Sequence, residues 1–192
     1  MTRLHLVRHG PTHASGMVGW TDLPADLSDT AALARLSAYL PAQAVVVSSD
    51  LWRARATADA IQGQRTRLPH QIDLREINFG AWEMRHHADV EAETPDLIRA
   101  YWDQPGTPAP PGGESWNQIS ARANRAIDAL IAAHPEQDLI VVVHFGVILT
   151  QLQRALAIPA RKAFAHRIDN LSVTRISLGP KGWQTGAINL LP

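Results

Sequence analysis

Three short apolar runs constrain this chain more than any other feature, because each one stops abruptly at polar or charged residues. Leu4–Val7 runs into Arg8-His9, Ala44–Val47 into Ser48-Ser49-Asp50, and Leu139–Val143 into His144. Runs this short, rich in Val, Leu and Ile and without polar alternation, read as strands buried on both faces. Helical spacing lies between them. Ser28–Leu40 puts Leu33, Leu36 and Leu40 on one face ahead of Pro41. Asp50–Gln62 does the same with Leu51, Ala54, Ala58 and Ile61, and Gly63 stands where a C-terminal cap belongs. Alternating strand and helix predict an α/β fold, a three-layer α/β/α sandwich around a mostly parallel central sheet. In such sheets ligands bind beyond the carboxyl ends of the strands. The polar residues that end the three runs are therefore expected to face one site.

The remaining pattern fills in the layers. Ile72–Leu74 reads as a further short strand. Asp103–Gly113 (DQPGTPAPPGG) is too dense in Pro and Gly for regular structure. It is expected to be an ordered surface loop inside a single domain spanning residues 1–192, and segment 104–113 is a candidate lid. Ser115-Trp-Asn-Gln118 has the form of a capping box, and the helix it opens turns Ile119, Ile127, Leu130 and Ile131 towards a core. Gly146–Ala157 reads as the next helix, and Leu171–Leu178 with Trp183–Ile188 as closing strands.

Composition removes several function classes. Lys+Arg and Asp+Glu are 18 each, so no general basic field is available to hold nucleic acid. The absence of cysteine removes disulfides, thiolate nucleophiles and Cys-based metal sites together. No H-E-x-x-H is present, and the adjacent His86-His87 would point about 100° apart on a helix, so no metal and no cofactor are expected. The N-terminus lacks a secretory apolar region and no run is long enough to span a bilayer. A cytoplasmic location with no membrane partner is expected, and a homodimer is left open.

The chemistry follows from residue types. A neutral imidazole is a good nucleophile, and a neighbouring guanidinium disfavours its cation; His9 emerges from its strand beside Arg8. Arg8 and Arg53 offer forked, permanently charged donors suited to the oxygens of a phosphoryl group. Arg53 also lies in the first turn of its helix, where free N–H groups favour anions. His144, cationic beside a dianion, would add another donor. The reading requires the His9 ring to lie beside both Arg53 and His144.

These residues carry a resemblance. LVRHGPT at 6–12 resembles the Arg-His-Gly signature of the histidine phosphatase superfamily, the phosphoglycerate mutase-like proteins. VVSSDLWRARATA at 46–58 is similar to the family's second arginine segment and LREINFGAWE at 74–83 to its acid segment. PPGGES at 110–115 resembles its Gly-Gly-Glu-Ser loop, and VVVHFG at 141–146 its second-histidine strand. The resemblance implies that His9 is transiently phosphorylated, with Arg8, Arg53 and His144 binding the phosphoryl group. It implies Glu76 as the acid that protonates the leaving oxygen, with Glu83 the runner-up and a substrate-side residue. Thr12 and Ser15 would add hydroxyl contacts. Pro11 stands where many relatives have Glu and Phe145 where many have Gly; Phe145 would offer its backbone N–H while its side chain narrows the entrance or packs beneath it.

The implied activity is metal-independent hydrolysis of a small-molecule phosphate ester. Mutases of the family carry extra segments after the acid, for which this chain has little room, and a non-catalytic binding module has no need of Glu76. FGAWEMRHHADV at 79–90 is similar to the α-ribazole phosphatase branch, which acts late in cobalamin nucleotide-loop assembly. The alternatives are a broad-specificity or sugar-phosphate phosphatase, or a phosphoglycerate mutase. Trp20, Trp82, Trp102 and Trp116 are candidates for an apolar wall against a base or benzimidazole ring.

Overall fold

The computed structural model describes residues 1–192. Six strands form one sheet: β1 Thr2–Arg8, β2 Ala44–Ser48, β3 Thr66–Arg67, β4 Asp138–Val143, β5 Val173–Gly179 and β6 Gly182–Thr185. Their order is β3-β2-β4-β1-β5-β6, with β3, β2, β4 and β1 mutually parallel and β5 antiparallel to both of its neighbours, β1 and β6. The helices are α1 Thr30–Tyr39, α2 Trp52–Ile61, α3 His87–Glu93, α4 Pro95–Asp103, α5 Trp116–Ala133, α6 Phe145–Leu156 and α7 Ala160–Ala163.

Every residue of β4 is buried, which explains the unbroken apolar run Leu139–Val143 after Asp138. Leu139, Val141 and Val143 pack into one core with α5 and α6, while Ile140 and Val142 pack into a second core with α1 and α2. Period-two alternation along one strand thus feeds two apolar layers, and the three-layer α/β sandwich follows.

Local signals end the elements where chemistry allows. Asp29 caps α1 by accepting from the Ala32 N–H at 2.9 Å. Ser115 and Gln118 form a reciprocal capping box at the start of α5. Gly63, just past α2, adopts φ +57°, as a residue ending a helix in the left-handed region does.

Two expectations change. Ile72–Leu74 is a 3₁₀ turn, with the edge strand upstream at Thr66–Arg67. Ile72 is 58% exposed and only Leu74 is buried, so the triplet lacks the two-sided burial a strand there would need. The last strand is shorter than Trp183–Ile188, ending at Thr185. The 104–113 segment has no regular structure, and its end is tied down: Ala81 N–H donates to Pro111 O at 2.9 Å and Glu114 N–H to Asn78 O at 2.8 Å.

Candidate active site

Register alone brings the two histidines together. Arg8 pairs with Val143 across β1 and β4, so the next residues, His9 and His144, leave neighbouring strand ends side by side. The His9 N–H donates to Val143 O at 3.0 Å, and the ring centroids are 5.0 Å apart. Ser48 pairs with Val142 on the other flank of β4, which carries Ser49 to His144: Ser49 Oγ and His144 Nε2 are 2.6 Å apart.

Hydrogen bonding sets the state of His9. Its Nδ1–H donates to Gly10 O at 2.7 Å, leaving Nε2 as the bare nitrogen, met at 3.2 Å by Arg53 Nε–H. Burial first, then the Arg53 and Arg8 guanidiniums, hold its pKa down at about 3. The imidazole is a neutral base. His144 is pushed the same way by burial and by Arg53, so in the free site it too is neutral; the cation expected from sequence was for a site holding a dianion. Its Nδ1 is buried without a partner.

Arg53, 1% exposed, is fixed by two carbonyls: Nη1 donates to Thr21 O at 2.9 Å and Nη2 to Gly19 O at 2.5 Å. The end of α2 is not the anion site expected of it, because Trp52 N–H donates to Asp22 and the Ala54 and Arg55 N–H groups to Leu51 O. The guanidinium meets the cavity instead. Arg8 donates from Nη1 to Ile168 O at 2.6 Å and lies over the Phe145 ring at 5.6 Å. Phe145 therefore packs against the Arg8 guanidinium and is not among the residues that line the cavity around His9.

Glu76 is 7% exposed. Its carboxylate accepts the Gly146 N–H at 3.0 Å on both oxygens and the Ile77 N–H at 3.0 Å. Burial raises its pKa against those donors and the two arginines, which favours a group that holds a proton. Its carbonyl is held by Trp20 Nε1–H at 2.8 Å and Arg122 Nη2–H at 2.7 Å.

One polar cavity of about 140 Å³ gathers Arg8, His9, Thr12, Ala14, Gly16, Val18, Arg53 and Glu76. His144 stands behind it, fully buried. Ser15 is exposed and does not line it; the walls there come from its neighbours Ala14 and Gly16. Glu83 does not line it either, because both of its oxygens are taken by the chain around Gly19–Thr21. Nor do His86 and His87, both exposed. Trp82 and Trp116 are core residues, each 2% exposed, and Trp102 packs against the same core. Trp20 does not line the cavity either; it stacks under Arg75 at 4.8 Å and reaches Glu76 only through that residue's backbone carbonyl.

Several supporting residues escape sequence reading. Thr57 Oγ1 accepts the Gly10 N–H at 2.9 Å, and Asn170 Nδ2–H donates to His9 O at 2.8 Å. Arg122 pairs with Glu114 at 2.7 Å and donates to the Asp73, Arg75 and Glu76 carbonyls. It had a signal: a charged residue on the stripe Ile119, Ala123, Ile127 of α5.

Known proteins share this arrangement of chain. Residues 4–190 match the model of the histidine phosphatase superfamily, branch 1. The adenosylcobalamin/alpha-ribazole phosphatase of Escherichia coli (strain K12) is 32% identical over 186 residues, covering 93% of this chain and 91% of that protein. The glucosyl-3-phosphoglycerate phosphatase of Mycobacterium tuberculosis (strain ATCC 25618 / H37Rv) is 34% identical over 172 residues, 82% of this chain and 76% of that protein. The crystal structure of the alpha-ribazole phosphatase from Shigella flexneri superposes with a TM-score of 0.85 at 28% identity, covering 98% of this chain and 96% of that one.

Proposed function

The chain belongs to the histidine phosphatase superfamily, branch 1, as a phosphoric monoester hydrolase, and from that premise we propose that it works through a phosphohistidine at His9. The observation that carries this reading is the bare His9 Nε2, set in a cavity that also contains Arg8, Arg53 and Glu76.

His9 Nε2 attacks phosphorus as the ester P–O bond breaks, and the leaving oxygen takes the proton held by Glu76. Arg8 and Arg53 neutralise the charge on the transferring group in a water-poor site, where such donors count most. With the Ser49 hydroxyl donating to His144 Nε2, the Nδ1–H of His144 is left for a phosphoryl oxygen. Water then attacks the phosphohistidine and gives its proton to the Glu76 carboxylate. The P–N bond breaks, phosphate leaves, and both residues return to their starting states. No step calls for a metal.

The substrate proposed is a small phosphorylated metabolite, in the first place α-ribazole 5′-phosphate in cobalamin nucleotide-loop assembly, in the cytoplasm. The nearly full-length similarity to alpha-ribazole phosphatases supports this. A sugar-linked phosphate is the second reading, supported by the similarity to glucosyl-3-phosphoglycerate phosphatase.

The protein should hydrolyse p-nitrophenyl phosphate in EDTA and, with ³²P-labelled substrate, carry label that survives alkali and is lost in acid. His9→Ala should abolish both; turnover that persists in that variant overturns the mechanism. Ranking α-ribazole 5′-phosphate, glucosyl-3-phosphoglycerate and 3-phosphoglycerate by kcat/KM decides between the substrate readings.

A further inference from the structure

We infer that Glu83 is a positioning residue, which holds the 19–21 loop so that its carbonyls aim the Arg53 guanidinium at His9. The inference rests on the phosphohistidine reading for its consequence, though not for its geometry. Glu83 follows the 3₁₀ turn Gly80–Trp82. Its Oε1 accepts the Trp20 N–H at 2.7 Å and the Phe79 N–H at 3.1 Å. Its Oε2 accepts the Gly19 N–H at 3.1 Å, the Thr21 N–H at 3.2 Å and the Thr21 hydroxyl at 2.7 Å. Consecutive N–H groups converging on one point form an anion-binding concavity, and here the anion is a side chain of the same protein.

The other side of the same loop faces Arg53. The Gly19 and Thr21 carbonyls receive the two terminal guanidinium nitrogens, which leaves Nε–H directed at His9 Nε2. The loop is a rigid coupler: N–H groups on the carboxylate, C=O groups on the guanidinium. Gly19 has no room for a side chain, since a methyl there would collide with Ile77 O and with the Glu83 carboxylate itself. The carboxylate is irreplaceable by its amide for a plain reason. Either orientation of a glutamine turns an –NH₂ group towards at least two of these donors, and a donor cannot accept a hydrogen bond.

The consequence is electrostatic as well as geometric. The charged and titratable groups facing His9 are Arg8 from its own strand, Arg53 from α2, Glu76 from the acid segment and the neutral His144 from the end of β4. The Arg53 charge is the largest of their contributions to keeping the His9 ring neutral. If the loop relaxes and Arg53 drifts, His9 becomes easier to protonate.

The test uses Glu83→Gln and the milder Thr21→Val, which removes one hydrogen bond to the same carboxylate. Both are assayed for kcat and KM across pH, and the His9 ring is titrated by NMR, its signal assigned by its loss in His9→Ala. Misplacement of a catalytic group by about 1 Å costs roughly 10²-fold, and a kcat loss of that order is expected for Glu83→Gln, counted per phosphorylatable site. The acid limb of the kcat/KM profile and the NMR titration should both move to higher pH, with Thr21→Val shifted less and in the same direction. A Glu83→Gln protein that is less stable but keeps its kcat per site and its His9 titration overturns the inference. If that variant does not fold, an unmoved titration in Thr21→Val overturns it equally. A wild-type protein with no turnover and no label would sink the phosphatase reading alone, because the His9 titration still reports whether Glu83 acts on Arg53.

Discussion

At position 146 the chain carries no side chain, and the Glu76 carboxylate occupies the space where one would begin. The same glycine donates its N–H to both carboxylate oxygens, so one residue bears on both the position and the proton affinity of the proposed acid. Gly146→Ala is expected to push Glu76 away from the leaving oxygen. Loss of a general acid costs on the order of 10²–10⁴, and kcat/KM for alkyl phosphates should fall by about 10²-fold. Hydrolysis of p-nitrophenyl phosphate should fall much less, since its leaving group departs as an anion without needing that proton. Equal losses on the two substrates would show that the displaced group is not the acid. Glu76 and Glu83 illustrate how far residue type carries an argument. They lie in one segment, and the resemblance selects Glu76; the difference in their surroundings is that one faces a cavity and the other is closed in by the 19–21 loop.

Between elements, the acid segment depends on α5. Arg122 reaches from the buried stripe of that helix to three carbonyls on 73–76 and to Glu114, with side-chain exposures of 9% and 17% for the pair. Removing one partner of a buried ion pair typically costs about 3–5 kcal/mol, because the other charge is stranded. Arg122→Met should therefore destabilise the protein by about that amount in urea denaturation. Adding Glu114→Gln should recover part of the loss, since the stranded charge is then gone. A loss below about 1 kcal/mol for the single variant, the range of exposed pairs, would contradict this account. The local pattern of α5 predicted the helix and its cap correctly. It could not say what Arg122 reaches, because its partners lie nearly fifty residues upstream as well as in the adjoining loop.

For the molecule as a whole, stability should fall early on acidification. His5, His9 and His144 are all buried with pKa values lowered from 6.5. An unfolded chain protonates them below pH 6.5 while the folded one does not. Their contribution is thus complete above about 6.5 and is lost as pH falls towards the folded values, about 3 for His9. Each such histidine steepens the slope by at most about 1.4 kcal/mol per pH unit, which is a few degrees of Tm. Glu76, raised by burial, works in the opposite direction at the ordinary carboxylate range. Calorimetry should show Tm declining between pH 6.5 and 5, and more gently in His5→Gln, a position away from the cavity. A Tm that stays level across that interval would contradict the prediction.

What could be read from the sequence follows from burial. A strand covered on both faces is mostly apolar, and its polar residues gather where the chain leaves the sheet, so the runs ending at Arg8-His9, Ser49 and His144 were visible in the sequence, with His5 the exception inside β1. The closing hydroxyls, tryptophans and loops were less legible. Ser15 and Thr12 look alike in sequence, and only the loop's path turns one to the cavity and the other to solvent. Trp82, Trp102 and Trp116 satisfy a core as readily as a ligand wall, and α3 and α4 escaped because few of their residues are buried. The sequence by itself determined the three central buried strands and which reactive groups stand at their ends, because local burial dictates local pattern; the short edge strand, barely buried, it did not mark. The tertiary structure alone decided that β2, β4 and β1 lie adjacent and in register. The pairing of β1 with β4 joins residues 135 apart, as Arg3 with Asp138, and no local pattern records which neighbour a strand will choose.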